Sequence, residues 1–212
     1  MSYETGNISV NTEDIFPIIK KWLYSDKDIF LRELVSNASD AIAKMKRLVS
    51  LGEADNVSEE QYQIRVILDK ENKTIQVVDN GIGMTAEEVK KYINQVAFSG
   101  AREFLEKYKD QNEANQIIGH FGLGFYSAFM VSDKVEIDTL SWQEGAEAVK
   151  WVSDGGTTYE LSASDHDTRG TVVTLHIAED SKEFLNRYEL RKILEKYCAF
   201  LPVEIYLEDL EE

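Results

Sequence analysis

Between residues 133 and 177 the chain carries four short stretches of partly alternating apolar and polar residues, each followed by a break. The stretches are DKVEIDTL (133–140), EAVKWVSD (147–154), TTYELSA (157–163) and TVVTLHI (171–177), with turn signals at 144–145 (EG) and 154–156 (DGG). Period-two alternation gives a strand one apolar face, and short polar breaks join such strands antiparallel. This half of the chain is therefore expected to form a meander that needs an apolar cover on one side. YQIRVILD (62–69) and KTIQVVD (73–79), joined through DKEN, read as a hairpin. PVEIYLE reads as a last strand, and residues 1–10 as an edge strand or free arm.

The cover is expected to be helical. The longest helix should run from about Asp28 to Val49. Others are expected over 12–24, from the capping box TAEE at 85–88, over 99–109, through FYSAFMV and over 186–199. The segment 110–124 is polar, then glycine-rich, and is expected to be mobile. The class is α+β: a two-layer sandwich, a mixed or antiparallel sheet of about eight strands under helices. At 212 residues without a repeat or linker, one domain is expected, and the acidic close LEDLEE looks like a cut at a domain edge.

Composition narrows the function. Asp and Glu number 39 against 23 Lys and Arg, a formal charge of −16, which opposes a general nucleic-acid surface. The single cysteine, Cys198, rules out an internal disulfide. MSYETGNISV has no basic n-region or apolar h-region, and no apolar run reaches membrane-spanning length. A cytoplasmic protein without a membrane partner is expected.

The long helix carries ELVSNASDAI (33–42), with Asn and Asp where their side chains compete with the backbone. At about 100° per residue, with Glu33 at zero, Asn37 falls near about +40°, Asp40 near about −20° and Lys44 near about +20°. These four form one narrow stripe. Leu34, Val35, Ala38, Ala41, Ile42, Met45 and Val49 fill a separate apolar sector. The stripe alone fits a solvated face with an Asp40–Lys44 pair as well as a site.

Three further motifs accompany it. VDNGIGM (78–84) follows a strand: Asp79 ends the strand, and Gly81 and Gly83 allow a tight passage. Asn-Gly is also an ordinary turn pair. A buried carboxylate, acceptor-only, would pair with the amine of adenine and oppose the O6 of guanine, with Met84 packed on the ring. GHFGLGF (119–125) places Gly119, Gly122 and Gly124 before a helix-like run whose amides can face phosphates. It is neither a Walker loop nor a dinucleotide fingerprint. RGT (169–171) opens a late strand, and Thr171 could donate a hydroxyl near Asp79.

In this order, ELVSNASDA, VDNGIGM, IGHFGLGFYSAFMV and RGT resemble the four ATP-binding boxes of the GHKL superfamily. FLRELVSNASDAIAKMK, the Ser99–Gly100 pair and GHFGLGFYSAFMVSDKV resemble the bacterial type of the ninety-kilodalton heat-shock chaperones, over essentially the whole chain. The resemblance covers that family's N-terminal ATPase domain (1–212 here) and none of its middle or C-terminal domains. It implies Glu33 as the carboxylate that activates water and Asn37 as the Mg²⁺ ligand. Asp40, Ala41 and Lys44 match pocket-lining positions. Asp79 matches the adenine carboxylate, with Gly83, Met84 and Thr171 around it. Ser99, Gly100, Gly119, His120, Phe121, Gly122, Leu123, Gly124 and Phe125 match phosphate-facing positions of a lid spanning about 94–125.

The resemblance further implies an ATP/ADP- and Mg²⁺-binding chaperone ATPase whose lid closure drives N-terminal dimerisation on client proteins with co-chaperones. The isolated domain would be monomeric and feeble in turnover, because the family takes an arginine from the middle domain. Two positions depart from the family: His120 where Gln is frequent, and Phe98 where Lys is frequent. His166 and His176 are too isolated to suggest a metal site. The alternatives are a kinase-type ATP-binding domain of the same fold, which would not need Glu33, and a non-hydrolysing interaction module. A gyrase-like domain fits poorly with the −16 charge.

Overall fold

A computed structural model describes residues 4–7, 27–54, 57, 61–96, 124–156 and 158–211. Among these residues eight strands form one sheet: β1 (Glu4–Asn7), β2 (Gln63–Asp69), β3 (Thr74–Asp79), β4 (Ser132–Leu140), β5 (Val149–Ser153), β6 (Thr158–Ala163), β7 (Gly170–Ile177) and β8 (Glu204–Asp209). Their order is β1-β6-β5-β4-β7-β3-β2-β8. Only β2 and β8 run parallel; every other neighbouring pair is antiparallel. The sheet is mixed and helices pack on it, so the α+β class holds.

The meander expectation needs one correction. β4, β5 and β6 follow one another across the sheet, but β7 does not pair with β6. It returns past both to lie between β4 and β3, and β1 takes the place beside β6. The physical reason lies in TVVTLHI: its β-branched residues are buried or half-buried along their length, which suits a central strand paired on both sides.

Helix α1 (Ile29–Ser50) covers the inner face of the sheet with Phe30, Leu31, Leu34, Val35, Ala38, Ile42 and Met45. Val49, expected in the apolar sector, is only half-buried near the helix end. Helix α2 (Ala86–Val89) starts at the expected capping box: Thr85 accepts from the Glu88 amide, and the Glu88 carboxylate accepts from the Thr85 amide. It passes at once into a π-helical turn, Lys90–Val96. Helix α3 (Arg187–Tyr197) is capped by Asn186. The helices expected over 12–24 and 99–109 lie outside the described residues.

FYSAFMV belongs to a 3₁₀ helix, Gly124–Met130, rather than an α-helix. Phe125 meets Trp151 edge-on at 5.6 Å and Tyr126 at 5.5 Å, so the rings of this segment are pinned against β5 in the core. The Tyr126 hydroxyl donates to the carbonyl of Ile93, 2.8 Å away in the π-helical turn. A single apolar cluster joins α1, the inner sheet face, this 3₁₀ segment and α3.

Candidate functional site

The polar stripe of α1 divides in two. Asn37, Asp40 and Lys44 are exposed, whereas Glu33 is only 7% exposed. The Glu33 Oε1 accepts from Arg32 Nη2 at 2.7 Å and Nε at 3.1 Å. Its Oε2 faces Gly124, where a Cβ would collide with it. The carboxylate thus lies against the first residue of the 3₁₀ helix, at the end of the glycine-rich motif.

Two turns further along α1 sits the second part. The carbonyl of Ala41 accepts from the Ile82 amide at 3.1 Å. A Cβ on Gly81 would lie 2.6 Å from the Ala41 carbonyl carbon and 2.7 Å from the Ile42 nitrogen. Glycine is required there because the turn after β3 presses on the helix main chain itself. Asp79, 8% exposed, ends β3 with Oδ1 accepting from the Gly81 amide at 2.8 Å. Burial pushes its carboxyl up to about 7, against the lowering influence of the Gly81 hydrogen bond and the Arg169 charge.

Sheet register makes a row beside it. Asp79 is opposite Thr171 of β7, and Thr171 is opposite Thr139 of β4. The Thr139 hydroxyl lies 2.9 Å from that of Thr171, accepts from the Met84 amide at 3.0 Å and donates to the Gly170 carbonyl at 3.0 Å. Thr171 is thereby held beside Asp79 in this row, its hydroxyl hydrogen-bonded with that of Thr139.

Of the residues expected from sequence, Asp79, Gly83, Met84 and Thr171 come together, with Ala41 against the same turn. Gly83 has φ +63°, and a Cβ there would run into the Leu140 carbonyl. Glu33 and Gly124 meet at the other end. Phe125 turns its ring into the core, so only its main chain can serve a ligand. Ser99, Gly100, Gly119, His120, Phe121, Gly122 and Leu123 lie outside the described residues, as does Phe98. Three contributors were missed: Thr139, Arg169 and Arg32. Thr139 had a signal, since it takes the third inward position of β4 after Val135 and Ile137, where a valine would be ordinary.

A model of histidine kinase-, DNA gyrase B- and HSP90-like ATPases matches residues 25–190, most of the chain and all of the site described above. The chain belongs to this ATPase family. It is similar to Chaperone protein HtpG of Bacteroides fragilis, 57% identical over 202 residues, which are 95% of this chain and 29% of that protein. Chaperone protein HtpG of Porphyromonas gingivalis is 53% identical over 207 residues (98% and 30%), and that of Geobacter metallireducens 40% identical over 211 (98% and 32%). The chain thus spans under a third of the length of these chaperones. Among the described residues no helix is long and apolar enough to cross a membrane.

The residues present also fit the metal that such an ATPase implies. Among the described residues no cluster of His, Cys, Asp or Glu could hold an ion unaided. Asn37 offers one exposed amide oxygen on the stripe, a hard donor. That is the donor set suited to magnesium, which usually keeps water and phosphate oxygens and takes few ligands from protein.

Proposed function

We propose that residues 1–212 form one nucleotide-binding domain of a chaperone ATPase, binding ATP or ADP with Mg²⁺ along the polar stripe of α1. The observation that carries this reading is the spacing of two buried carboxyl groups. Glu33 and the turn at Ala41 are eight residues apart on one helix, about 12 Å along its axis. That is of the order of an extended nucleoside triphosphate, base at one end and terminal phosphate at the other.

Asp79 receives the amine of adenine on its free oxygen, and the Thr171 hydroxyl lies beside it. Gly81 and Gly83 keep the turn low enough for a ring to approach, and Met84 covers it. The exposed Asn37, Asp40 and Lys44 face the sugar and phosphates. Glu33 holds and orients a water molecule against the terminal phosphate, with Gly124 leaving room for the carboxylate. Asn37 would hold magnesium, which when bound supplies neutralising charge for the phosphate oxygens. In the longer protein, nucleotide would close the 94–125 segment, promote dimerisation of this domain and act on client proteins in the cytoplasm; the isolated domain is monomeric and turns over feebly.

Two substitutions separate the parts. Asp79→Asn should weaken ADP binding in calorimetry by about a hundredfold, because the amide turns a donor toward a donor. Glu33→Ala in the full-length protein should retain ADP binding and lose about a hundredfold or more in hydrolysis. Parent-like hydrolysis by Glu33→Ala would remove Glu33 from its role. Parent-like ADP affinity in Asp79→Asn would remove the adenine assignment.

A further inference from the structure

The tripeptide Arg169–Gly170–Thr171 joins the turn that carries Asp79 at three points, of which only Thr171 was anticipated. Gly170 has φ +127°, and a Cβ there would strike the Asp79 carbonyl, so β7 begins pressed against the end of β3. Arg169 reaches over this contact. Its Nη2 donates to the Asn80 carbonyl at 2.8 Å and its Nε to the Gly81 carbonyl at 2.9 Å. These are the two main-chain units directly after the buried carboxyl. The same Gly81 residue donates its amide to Asp79 Oδ1.

Other fastenings of this turn, among the described residues, are uncharged. The Asn80 side chain accepts from the Gln63 amide at 2.9 Å and donates to the Gln61 carbonyl at 2.9 Å. Ile82 is tied to α1 through Ala41. Around the Asp79 carboxyl, α1 contributes main chain at Ala41 and Ile42, while β7 and β4 contribute the hydroxyls of Thr171 and Thr139. Among the described residues, the charge that acts on Asp79 is that of Arg169, lowering a carboxyl that burial raises. The guanidinium is itself held over the ring of Tyr62, 5.8 Å from its centroid, and Lys46 stands 5.3 Å from the same ring.

We propose that Arg169 is a positioning residue for base recognition: its forked guanidinium fixes the Asn80–Gly81 main chain that holds the Asp79 carboxylate, and brings a positive charge to that turn. The inference rests on the reading of Asp79 as the adenine acceptor. A planar fork can satisfy two neighbouring carbonyls at once, as the ammonium of lysine does with less geometric definition. A permanent cation close to a buried carboxyl also keeps it in the acceptor state that an amine requires, as neither Asn80 nor Ile82 can.

The test is the pH titration of the Asp79 carboxyl carbon by NMR in the ligand-free chain, beside calorimetry with ADP and magnesium. Parent, Arg169→Met, Arg169→Gln and Arg169→Lys are compared. Loss of the charge in the Met and Gln variants should move the Asp79 midpoint upward by about one pH unit, and Arg169→Lys should leave it near that of the parent. With the acceptor form reduced from about half to about one-tenth at pH 7, ADP affinity in the neutral variants should fall about fivefold and recover in part by pH 8.5. Arg169→Lys should bind a few-fold less tightly at every pH, through its poorer hold on the turn.

A folded Arg169→Met or Arg169→Gln with an unmoved Asp79 midpoint and parent-like ADP affinity overturns the proposal. If Arg169→Met does not fold, the Gln and Lys pair still decides. Should Asp79→Asn bind ADP as the parent does, the adenine reading fails. The carbon titration then still reports whether Arg169 acts on Asp79.

Discussion

At the scale of single residues, glycine is where this site is least tolerant. Gly83 and Gly145 both adopt positive φ, +63° and +75°, yet their surroundings differ. A Cβ on Gly145 meets nothing within 4 Å, whereas one on Gly83 drives into the Leu140 carbonyl. Gly145→Ala should therefore cost about 1 kcal/mol, the backbone penalty alone. Gly83→Ala should cost about 3 kcal/mol or more, since the turn must move off β4. Urea unfolding of the two variants checks the difference. The glycines were legible as turn residues in VDNGIGM. Which of them carried a packing constraint was not, because the obstructing Leu140 lies 57 residues away in sequence and arrives only with the sheet.

At the scale of elements, alternation was a reliable guide because it is local. Along β4, Val135, Ile137 and Thr139 face inward, and Lys134, Glu136 and Asp138 face the other side. There Glu136 gathers Lys134 at 2.6 Å, Lys150 of β5 at 2.5 Å and His176 of β7 at 2.8 Å. Partial burial would raise its carboxyl, but hydrogen bonds from Lys134, Lys150 and His176 win and bring it down to about 2. A depressed carboxyl contributes stability that is present above its unfolded value, near 4.5, and is lost as pH falls toward 2. Acid unfolding should be shallower in Glu136→Gln across that window, with the two proteins converging at its lower end. The network ties β4 and β5, whose pairing was expected, to β7, whose place beside β4 was not, since β7 was expected at the end of a meander. The capping box before α2, in contrast, was written in four consecutive residues, and Thr85→Ala should cost about 1 kcal/mol.

At the scale of the whole molecule, the site opposes the stability of the fold that holds it. Asp79 is raised from near 4 to about 7 by burial. The sign is the reverse of Glu136: its favourable contribution is complete below the unfolded value and is lost as pH rises through about 7. At pH 8 the folded chain holds a buried carboxylate that a ligand amine would satisfy. Asp79→Asn should accordingly melt a few degrees higher than the parent at pH 8, about 1 kcal/mol, with a smaller difference at pH 5. Thermal scans at the two pH values measure it, and the gain accompanies lost ADP binding.

The helix, its polar stripe, the strands and the capping box follow from residues within a few positions of one another, where 3.6- and 2-residue periods act directly. So the chain order alone was enough to place Glu33, Asn37 and Asp79 on a helix and at a strand end, and to suggest what they are for. The resemblance to ATPases added roles, and the family match bore out the family. What no local pattern contains is the return of β7 between β3 and β4. That crossing sets Asp79, Thr171 and Thr139 in one row and lays Arg169 over the turn. Those contacts join segments 32 to 92 residues apart, and only burial of the central strand on both edges selects them.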